Sequence, residues 1–455
     1  MEHTKLKLSK FNYSVKDDEG NLLIYNFAKG RDSLCKVLKK DEGAYYKLIN
    51  ELNAELDEES ACVKQLKEKG ILIHNAINEL MLVNSLYYES ALDDKVRIIV
   101  MPTEQCNFRC KYCYESYKKG KMTSEDQLSL LKFIQRKVVS ANKLQVSWFG
   151  GEPLEAVDVI ENIMKNTIEM CKKRKVQFIS DMTTNGYNLT PDIFDKLYSF
   201  KVYDYQITLD GTEKQHNKQR VLKNGEGTFN KIVENLLYIK NNFTKYKLAS
   251  ISIRVNITRD ILDNFAEFIK FYKDNFANDR RFSLALTPVS DMGGSIVNEI
   301  KDKFVNIEEI YKLIKELDLF NDLSISFSNI LRALSPKDVL CYASKKNTFV
   351  IGPDLSIYKC TVHFEMNENN IGKIKPNGEE LINDISHRQW YANLVLREKC
   401  KNCFLLPCCY GGGCPHKRVF CEEFANKCVL KSWKSEIPNI IKYISKKIDV
   451  ETIKF

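Results

Sequence analysis

The pattern of hydrophobic and polar positions changes twice along the chain and divides it into three regions. The first region covers residues 1–90. There the segment FNYSVKDDEGNLLIYNF alternates apolar and polar residues on both sides of Glu19-Gly20-Asn21, which predicts a β-hairpin. Helical patterns follow in AYYKLINEL and ACVKQLKEKG, where Gly70 ends the second, and a short apolar stretch, ILI, comes next. Strands and short helices over this length predict a winged-helix-like module.

In the second region, residues 91–325, apolar strands alternate with amphipathic helical patterns such as DQLSLLKFIQRKVV and DNFAEFIKFYKDNF. The candidate strands are 96–103, 145–150, 176–184, 204–211, 250–258 and 282–289. This alternation is typical of parallel βαβ units, which bind ligands at the C-terminal ends of their strands. The fold class is therefore α/β, and six units favour a partial (β/α)6 TIM-like barrel. A doubly wound sheet is the alternative.

The third region, residues 326–455, is irregular and rich in cysteine, and it ends in an amphipathic pattern around IPNIIKYISKKI. A chain of 455 residues exceeds one ordinary hydrophobic core. We therefore expect three domains with boundaries at 1–90, 91–325 and 326–455.

Composition excludes several classes of protein. The chain is 44% hydrophobic and 28% charged, as globular proteins are. It has no run of about 18 apolar residues and no apolar signal core at its start, so we expect a cytoplasmic protein without a membrane partner. The net charge of +9 is mild for this length, and residues 1–90 carry 13 basic against 15 acidic side chains. That balance argues against a nucleic-acid partner.

The 15 cysteines change the picture, because in a reducing compartment so many thiols indicate metal or redox chemistry. Three lie close together, at Cys106, Cys110 and Cys113, and nine lie between Cys341 and Cys428. The others are isolated in helix-like stretches and are expected to pack as small apolar side chains: Cys35, Cys62 and Cys171.

The first cysteine group lies in EQCNFRCKYCYE, directly after the first predicted strand. Three thiolates on one loop can hold three irons of a [4Fe–4S] cluster and leave the fourth iron open. A closed zinc site needs a fourth ligand nearby, and the next cysteine is Cys171. The spacing C-x3-C-x2-C, with Tyr112 before the last cysteine, resembles the signature of the radical SAM superfamily. The resemblance implies that the open iron binds S-adenosylmethionine (SAM), which is cleaved to a 5′-deoxyadenosyl radical.

Residues at later strand ends resemble the SAM contacts of that family, in the same order along the chain. They are Gly150, Gly151, Glu152 and Pro153 after the second strand, Thr184 and Asn185 after the third, Asp210 and Arg220 after the fourth, and Asn256 in the fifth. The resemblance implies that GGEP holds the methionyl amino group, TTNG lies on the ribose side and Arg220 reaches the SAM carboxylate. Two adjacent glycines would also let the backbone approach a ligand closely.

The second cysteine group includes CKNCFLLPCCYGGGCPHKRVFC, which resembles the SPASM extension of radical SAM peptide-modifying enzymes. That pattern contains C-x2-C-x5-C-x3-C. It fits through Cys409, but Cys414 comes one residue late; counting through Cys408 departs at both steps. We therefore prefer Cys409 as the ligand and keep Cys408 as the alternative. A second departure is Leu355, where the family usually has glycine, so the turn there is expected to differ.

The SPASM resemblance implies two auxiliary [4Fe–4S] clusters. The inner one would use Cys341, Cys360 and Cys414, and the outer one Cys400, Cys403, Cys409 and Cys428. Cys421 either completes the inner cluster or is not a ligand. With three protein thiolates, the inner cluster would keep one iron open for a substrate thiolate. A pair of structural zinc sites is the alternative.

Together these resemblances predict a maturase of ribosomally made precursor peptides. The N-terminal module resembles the peptide-recognition element of such enzymes, which binds a leader peptide as an added strand. We expect thioether formation of the sactipeptide or ranthipeptide type, with a flavodoxin or ferredoxin as reductant. The alternatives are carbon–carbon crosslinks, formylglycine formation of the anaerobic sulfatase type with Asp291 as the candidate base, and a non-catalytic iron–sulfur electron carrier.

Overall fold

The computed structural model describes residues 5–52, 59–291, 296–317, 319, 333–336, 340–392, 398–412, 414–421, 428 and 430–455. The chain divides into two compact units. The flanking unit comprises Met1–Asp93, Phe327–Lys346 and Gln389–Phe455, and the barrel unit comprises Asp94–Ser326 and Asn347–Arg388.

The N-terminal part of the flanking unit mixes short strands with helices, as predicted. Its strands are β1 (Leu6–Leu8), β2 (Asn12–Lys16), β3 (Leu22–Asn26), β4 (Cys35–Val37) and β5 (Leu72–His74), and its helices are α1 (Glu42–Asn50), α2 (Ala61–Glu68) and α3 (Glu79–Ala91). β2 and β3 form the predicted antiparallel hairpin, with Lys16 opposite Leu22. Gly20 occupies the turn with a φ of 85°, a conformation that glycine adopts without strain.

The barrel unit contains all six predicted strands. Its strands up to residue 288 are β6 (Lys95–Val100), β7 (Phe108–Cys110), β8 (Lys143–Trp148), β9 (Gln177–Thr184), β10 (Val202–Thr208), β11 (Arg220–Leu222), β12 (Ser250–Ile257) and β13 (Phe282–Pro288). The helices are α4 (Ser124–Val138), α5 (Val157–Arg174), α6 (Pro191–Ser199), α7 (Glu213–Gln219), α8 (Phe229–Asn241), α9 (Arg259–Leu262), α10 (Phe265–Asn275) and α11 (Ile307–Glu316).

The strand order distinguishes the two α/β architectures. The six strands pair in parallel in the order β6-β8-β9-β10-β12-β13, which follows the chain without a reversal. A doubly wound sheet would reverse its strand order at a switch point, so that alternative was wrong. In the described sheet β13 is the last strand at one end and β6 continues into another strand, as expected of a partial barrel.

Four further strands extend this sheet beyond β6. They are β14 (Thr348–Ile351), β15 (Ser356–Tyr358), β16 (Asn370–Ile374) and β17 (Glu380–Ile382), and helix α12 (Asp384–Tyr391) follows. β14 pairs in parallel with β6, and the next strands pair antiparallel. The expectation of an irregular chain after residue 326 was therefore wrong for this segment. Leu355 lies in the turn between β14 and β15 with a φ of 66°, so a leucine adopts the left-handed conformation that favours glycine.

The flanking unit is completed by α13 (Glu398–Lys401), α14 (Leu406–Cys409), α15 (Lys431–Ser445) and β18 (Glu451–Thr452). β18 joins the N-terminal strands in a sheet of order β18-β4-β3-β2. Residues on alternate sides of β3 enter two cores: Leu23 packs in the cluster that contains Ile441 of α15, and Ile24 in the cluster that contains Leu66 of α2. Among the described helices, none is long and apolar enough to cross a membrane.

Of the isolated cysteines, Cys62 and Cys171 lie in helices as expected, but the expectation of a helical stretch was wrong for Cys35, which begins strand β4 because its segment pairs with β3. Cys35 and Cys171 are buried, as predicted for packed thiols. Cys62 is only partly buried, and its Sγ lies 3.1 Å from the Ser60 hydroxyl.

Candidate active site

The three clustered cysteines lie on the loop that follows β6. Cys106 and Cys110 are buried and Cys113 is half-buried. Burial raises the pKa of Cys110 to about 12; the nearby Arg220 guanidinium opposes this rise and the Cys113 thiol adds to it. Burial also raises the pKa of Cys106, with further contributions from Cys110 and Cys113. The three thiols are therefore close enough to affect one another electrostatically. A bound metal cation is what would hold them as thiolates.

A small ribbon fixes this loop. β7 lies inside it and pairs antiparallel with β11, which places Cys110 opposite Arg220. The Arg220 guanidinium carbon also lies 5.4 Å from the centre of the Phe108 ring. The Tyr117 hydroxyl donates to Cys113 Sγ at 3.0 Å. The loop is thus tied to a segment far along the chain.

Gly150 and Gly151 closely approach the backbone of the cysteine loop. A Cβ on Gly151 would lie 2.3 Å from the Glu104 carbonyl oxygen, and one on Gly150 would lie 2.5 Å from that of Thr103. The Gly151 amide donates to the Thr103 carbonyl at 3.2 Å. What the two glycines admit in this structure is the backbone of the cysteine loop, which a side chain at either position would displace.

Glu152 connects the ends of β8 and β9. Its fully buried carboxylate accepts hydrogen bonds from Thr184 Oγ1 at 2.6 Å, the Asn185 amide at 2.7 Å and the Leu154 amide at 3.0 Å. Burial raises its pKa to about 7, against the effect of these hydrogen bonds. Asn185 Nδ2 in turn donates to Asn107 Oδ1 at 2.7 Å, which links the group to the cysteine loop. Pro153 begins the 3-10 turn that follows.

A second group surrounds the Tyr112 hydroxyl, which donates to the Asp210 carboxylate. Arg220 Nη1 donates to the same hydroxyl at 2.8 Å and Asn256 Nδ2 at 3.0 Å. The backbone amide of Asn256 also donates to Asp210 Oδ1 at 2.7 Å. Arg220 Nε is buried and has no hydrogen-bond partner among the described residues, so this cation keeps a donor for an anionic ligand.

His216, which the sequence analysis did not single out, holds this group in place. Its Nδ1 accepts the Asp210 amide at 3.1 Å, so its Nε2 carries the proton and donates to Thr228 Oγ1 at 3.0 Å. Thr228 Oγ1 donates to the Arg220 carbonyl at 2.8 Å. Burial lowers the pKa of His216 well below 6.5, with the Arg220 charge acting in the same direction. The imidazole is therefore neutral and connects the Asp210 and Arg220 backbones.

We expect His216→Leu to destabilise the barrel unit. The change leaves the buried Asp210 amide without a partner, and the Thr228 hydroxyl keeps only its bond to the Arg220 carbonyl. A buried group whose hydrogen bond is unmade costs about 1–3 kcal/mol. Urea unfolding of iron-free protein measures the loss, and His74→Leu, at an exposed histidine, is the matched control. Equal unfolding midpoints for the two variants would contradict this role.

The same variant has a pH signature. Because the folded pKa of His216 is lowered, its contribution is present above the unfolded pKa of 6.5 and is lost as the pH falls below that value. The difference in unfolding free energy between wild type and His216→Leu should therefore narrow between about pH 7.5 and 5.5. A constant difference would contradict the burial of a neutral imidazole.

These residues fit a [4Fe–4S] cluster with bound SAM. Three thiols on one loop, two of them buried and one half-buried, match a cluster that leaves one iron open. The unpartnered Nε of Arg220 suits a carboxylate, and the buried Glu152 carboxylate suits an ammonium group. All of them lie in the barrel unit, at or just beyond the C-terminal ends of its parallel strands.

The flanking unit brings together a second set of thiols. Burial, together with the neighbouring thiols of Cys400, Cys428 and Cys403, raises the pKa of Cys409 to about 11. Lys434 of α15 lies at the same place. Burial lowers its pKa, but the hydrogen bond to Cys403 and the charges of Cys403, Cys428 and Cys409 together outweigh burial and raise the pKa. These four cysteines are the set expected for the outer cluster, with a cationic side chain beside them.

The neighbouring Cys408 points elsewhere. It is buried, and its Sγ donates to the carbonyl oxygens of Leu334 at 3.1 Å and Phe27 at 3.5 Å. It packs in the same hydrophobic core as Ile441. Burial raises its pKa well above the usual value, as for a protonated core thiol.

The residues expected for the inner cluster are divided between the units. Cys341, Cys414 and Cys421 belong to the flanking unit and Cys360 to the barrel unit. The Cys360 amide donates to Asn369 Oδ1 at 2.8 Å. Cys421 Sγ lies 3.5 Å from His416 Nε2. Within the described parts of the chain, no group of three His, Cys, Asp or Glu side chains is arranged to hold a single metal ion.

Comparison with known proteins gives three kinds of match. Residues 100–272 match the model of the Radical SAM superfamily. The cysteine-type anaerobic sulfatase-maturating enzyme of Clostridium novyi is 25% identical over 357 residues, which cover 72% of this chain and 92% of the relative. The radical SAM cyclopropyl synthase TigE of Paramaledivibacter caminithermalis is 23% identical over 312 residues, covering 60% and 61%.

Among solved structures, native anSMEcpe with bound AdoMet and the Kp18Cys peptide matches with a TM-score of 0.61 and 22% identity. The match covers 78% of this chain and all (100%) of that one, and it shows the same fold. Three observations point to the same kind of domain. They are the parallel sheet in unbroken order, the cysteine loop after its first strand and the match over residues 100–272. The chain therefore contains a radical SAM domain.

Proposed function

We propose that this protein is a radical SAM enzyme that modifies a ribosomally made precursor peptide, joining a cysteine sulfur to a carbon of another residue. One observation supports the enzyme class above all. The cysteine loop, the Glu152 group and the Arg220 group are linked through hydrogen bonds and the β7–β11 ribbon into one arrangement at the strand ends. An electron carrier would not need the Glu152 group or the Arg220 group.

Each part of the arrangement has a task. Cys106, Cys110 and Cys113 would hold the cluster. Arg220, kept in place by Tyr112, would bind the carboxylate of SAM through its free Nε, and Glu152 would receive the amino group. When bound, the cluster and SAM supply a 5′-deoxyadenosyl radical. Burial of Cys106 and Cys110 would limit the access of water to this chemistry.

We further propose auxiliary clusters for the remaining cysteines. Cys400, Cys403, Cys409 and Cys428 would hold the outer cluster, and their shared electrostatic neighbourhood supports this set. Lys434 would offset part of its negative charge. Cys341, Cys360 and Cys414 would hold the inner cluster. Cys421 would either be a further ligand of that cluster or not be a ligand. Electrons would come from a flavodoxin or ferredoxin.

The assignment of a peptide substrate is supported by the flanking unit. It carries a four-stranded sheet with a hairpin at one edge, the kind of element to which extended peptides add as strands. The match to anSMEcpe leaves part of this chain uncovered, since it spans 78% of it and 100% of anSMEcpe. We assign residues 1–90 to recognition, 91–325 to the SAM chemistry and 326–455 to the auxiliary clusters.

Formylglycine formation is the second candidate. The Clostridium novyi relative, of which 92% is covered, is a cysteine-type sulfatase-maturating enzyme. The base nominated for that reaction, Asp291, forms an ion pair with Lys301 at 2.9 Å, with 47% of its side chain exposed. A proton acceptor held by a surface lysine in this way is poorly placed for catalysis, which favours the thioether reaction.

Product analysis separates the two reactions. Anaerobically reconstituted protein with SAM and dithionite is incubated with cysteine-containing precursor peptides encoded near the gene and, separately, with a sulfatase peptide. Thioether formation gives a product that keeps its sulfur, loses two hydrogens and resists thiol alkylation. Formylglycine formation gives a product without that sulfur, whose aldehyde reacts with hydroxylamine. The second product, without the first, would refute our assignment.

Two adjacent cysteines give a sharp test of the outer cluster. Cys409→Ala is expected to lower the iron content of reconstituted protein by about four irons per chain, because its thiol lies in the electrostatic neighbourhood of the other three. Cys408→Ala is expected to keep the iron and to lower the unfolding free energy by about 1 kcal/mol, because it removes a packed core atom. Iron loss in the Cys408 variant alone would reverse the assignment.

A further inference from the structure

One edge of the four-stranded sheet in the flanking unit is covered by the last residues of the sequence. β18 pairs in parallel with β4, so Glu451 lies opposite Cys35 and Thr452 opposite Lys36. The Ile453 amide donates to the Lys36 carbonyl at 2.8 Å. Without this segment β4 would be an edge strand with unpaired backbone groups, which is a surface that accepts extended peptides.

Helix α2 contacts the same segment from the other side. Gln65 Nε2 donates to Glu451 Oε1 at 2.9 Å, and Gln65 Oε1 accepts the Lys454 amide at 3.2 Å. Lys69, at the end of α2, lies 2.9 Å from Glu451 Oε2. Residues 451–455 thus lie in a groove between β4 and α2, bound through their backbone on both sides.

Alternate side chains of this segment make three distinct contacts. Glu451 meets the polar groups of α2. Ile453 is fully buried in the cluster that includes Leu66 and Tyr45. The Phe455 ring lies edge-on to Tyr45 with centroids 6.1 Å apart, and it is 39% exposed. The groove therefore selects an acidic residue, an aliphatic residue two positions later and an aromatic residue two positions after that.

The contacts that hold the segment are few. β18 is only two residues long. The Lys69–Glu451 pair is partly exposed, at 18% and 45% of the side chains, and ion pairs of this kind contribute little. One buried aliphatic side chain and a few edge hydrogen bonds are what a short peptide in trans could equally make.

We propose that residues 451–455 are an internal competitor for this groove, which a peptide with the same acidic-x-aliphatic-x-aromatic pattern displaces. Only the identity of the natural competitor, the leader segment of a precursor, rests on the proposed function. Exchange of the segment itself depends on no catalytic activity.

The test uses a fluorescein-labelled peptide of residues 446–455, KKIDVETIKF, and fluorescence anisotropy with reconstituted full-length protein. Glu451→Lys places a cation beside Lys69 and loosens the resident segment without removing a core side chain. Lys454→Ala is the matched control, because Lys454 contacts Gln65 through its backbone amide. The Glu451 variant should bind the probe about threefold more tightly than wild type and the control, as expected for a partly exposed ion pair. A probe with lysine in place of Glu451 should bind more weakly by a similar factor.

Hydrogen exchange on wild-type protein gives a second measurement. If residues 451–455 leave the groove transiently, hydrogen exchange at the Ile453 amide should be faster than at the amides of β3. Excess precursor leader should accelerate hydrogen exchange at Ile453 further. Slow exchange at Ile453, with equal probe binding by the Glu451 variant and the control, would overturn the proposal. If the probe binds as expected but no peptide is ever modified, the groove assignment stands and the proposed function fails.

Discussion

Replacing Cys110 with alanine should reduce 5′-deoxyadenosine formation from SAM by at least about a thousandfold, which corresponds to about 4 kcal/mol of lost transition-state stabilisation. Cys110 is buried opposite Arg220 and beside Cys113, at the centre of the cysteine loop. Its removal leaves two thiols for a cluster that requires three. The measurement is 5′-deoxyadenosine released by reconstituted protein with dithionite, together with its iron content.

Cys171→Ala is the matched control for this experiment. Cys171 is also a buried thiol of the barrel unit, but it lies on α5. It should keep both the iron and the activity, with only a small loss of stability. If the Cys110 variant still releases 5′-deoxyadenosine at the wild-type rate, the cysteine loop is not the SAM site.

Arg220→Gln should weaken SAM binding by at least about tenfold, or about 1.4 kcal/mol, while the iron content stays at the wild-type level. The guanidinium is buried and shares the Tyr112 hydroxyl with Asp210 and Asn256, and its Nε has no partner among the described residues. A neutral amide cannot supply a charge-assisted hydrogen bond to a carboxylate. Equilibrium dialysis of SAM with reconstituted protein measures the change.

Arg259→Gln is the control for the removal of a positive charge. Arg259 pairs with Glu309 at 2.7 Å and is 42% exposed, so its loss should leave SAM binding unchanged. A loss of iron in the Arg220 variant would assign Arg220 to the cluster loop and not to SAM. Unchanged SAM binding would remove Arg220 from the site.

Much of the barrel unit could be predicted because its signals are local. Apolar runs of strand length between amphipathic helices gave all six strands, within a few residues at each end. The motif residues were then correctly expected at strand ends, because parallel strands place their C-terminal ends together. Even the preference for Cys409 over Cys408 rested on spacing alone, and the structure turns these neighbouring thiols towards different surroundings.

What the sequence could not show depends on contacts between distant segments. The β7–β11 ribbon joins two three-residue strands about a hundred residues apart, too short for any periodic signal. His216 gave no signal because its role follows from burial between Asp210 and Thr228. Strand β14 was hidden because a threonine and three apolar residues in a cysteine-rich region do not indicate a partner such as β6. The contact of the glycine pair with the backbone of the cysteine loop was not predicted, because that approach is visible only in three dimensions.

The most direct test of the central proposal is 5′-deoxyadenosine release by the anaerobically reconstituted wild-type protein, with and without a cysteine-containing precursor peptide. Our proposal predicts release above that of the iron-free protein, an increase when the precursor is added, and a peptide product lacking two hydrogens. No release from protein that carries its full complement of clusters would contradict it.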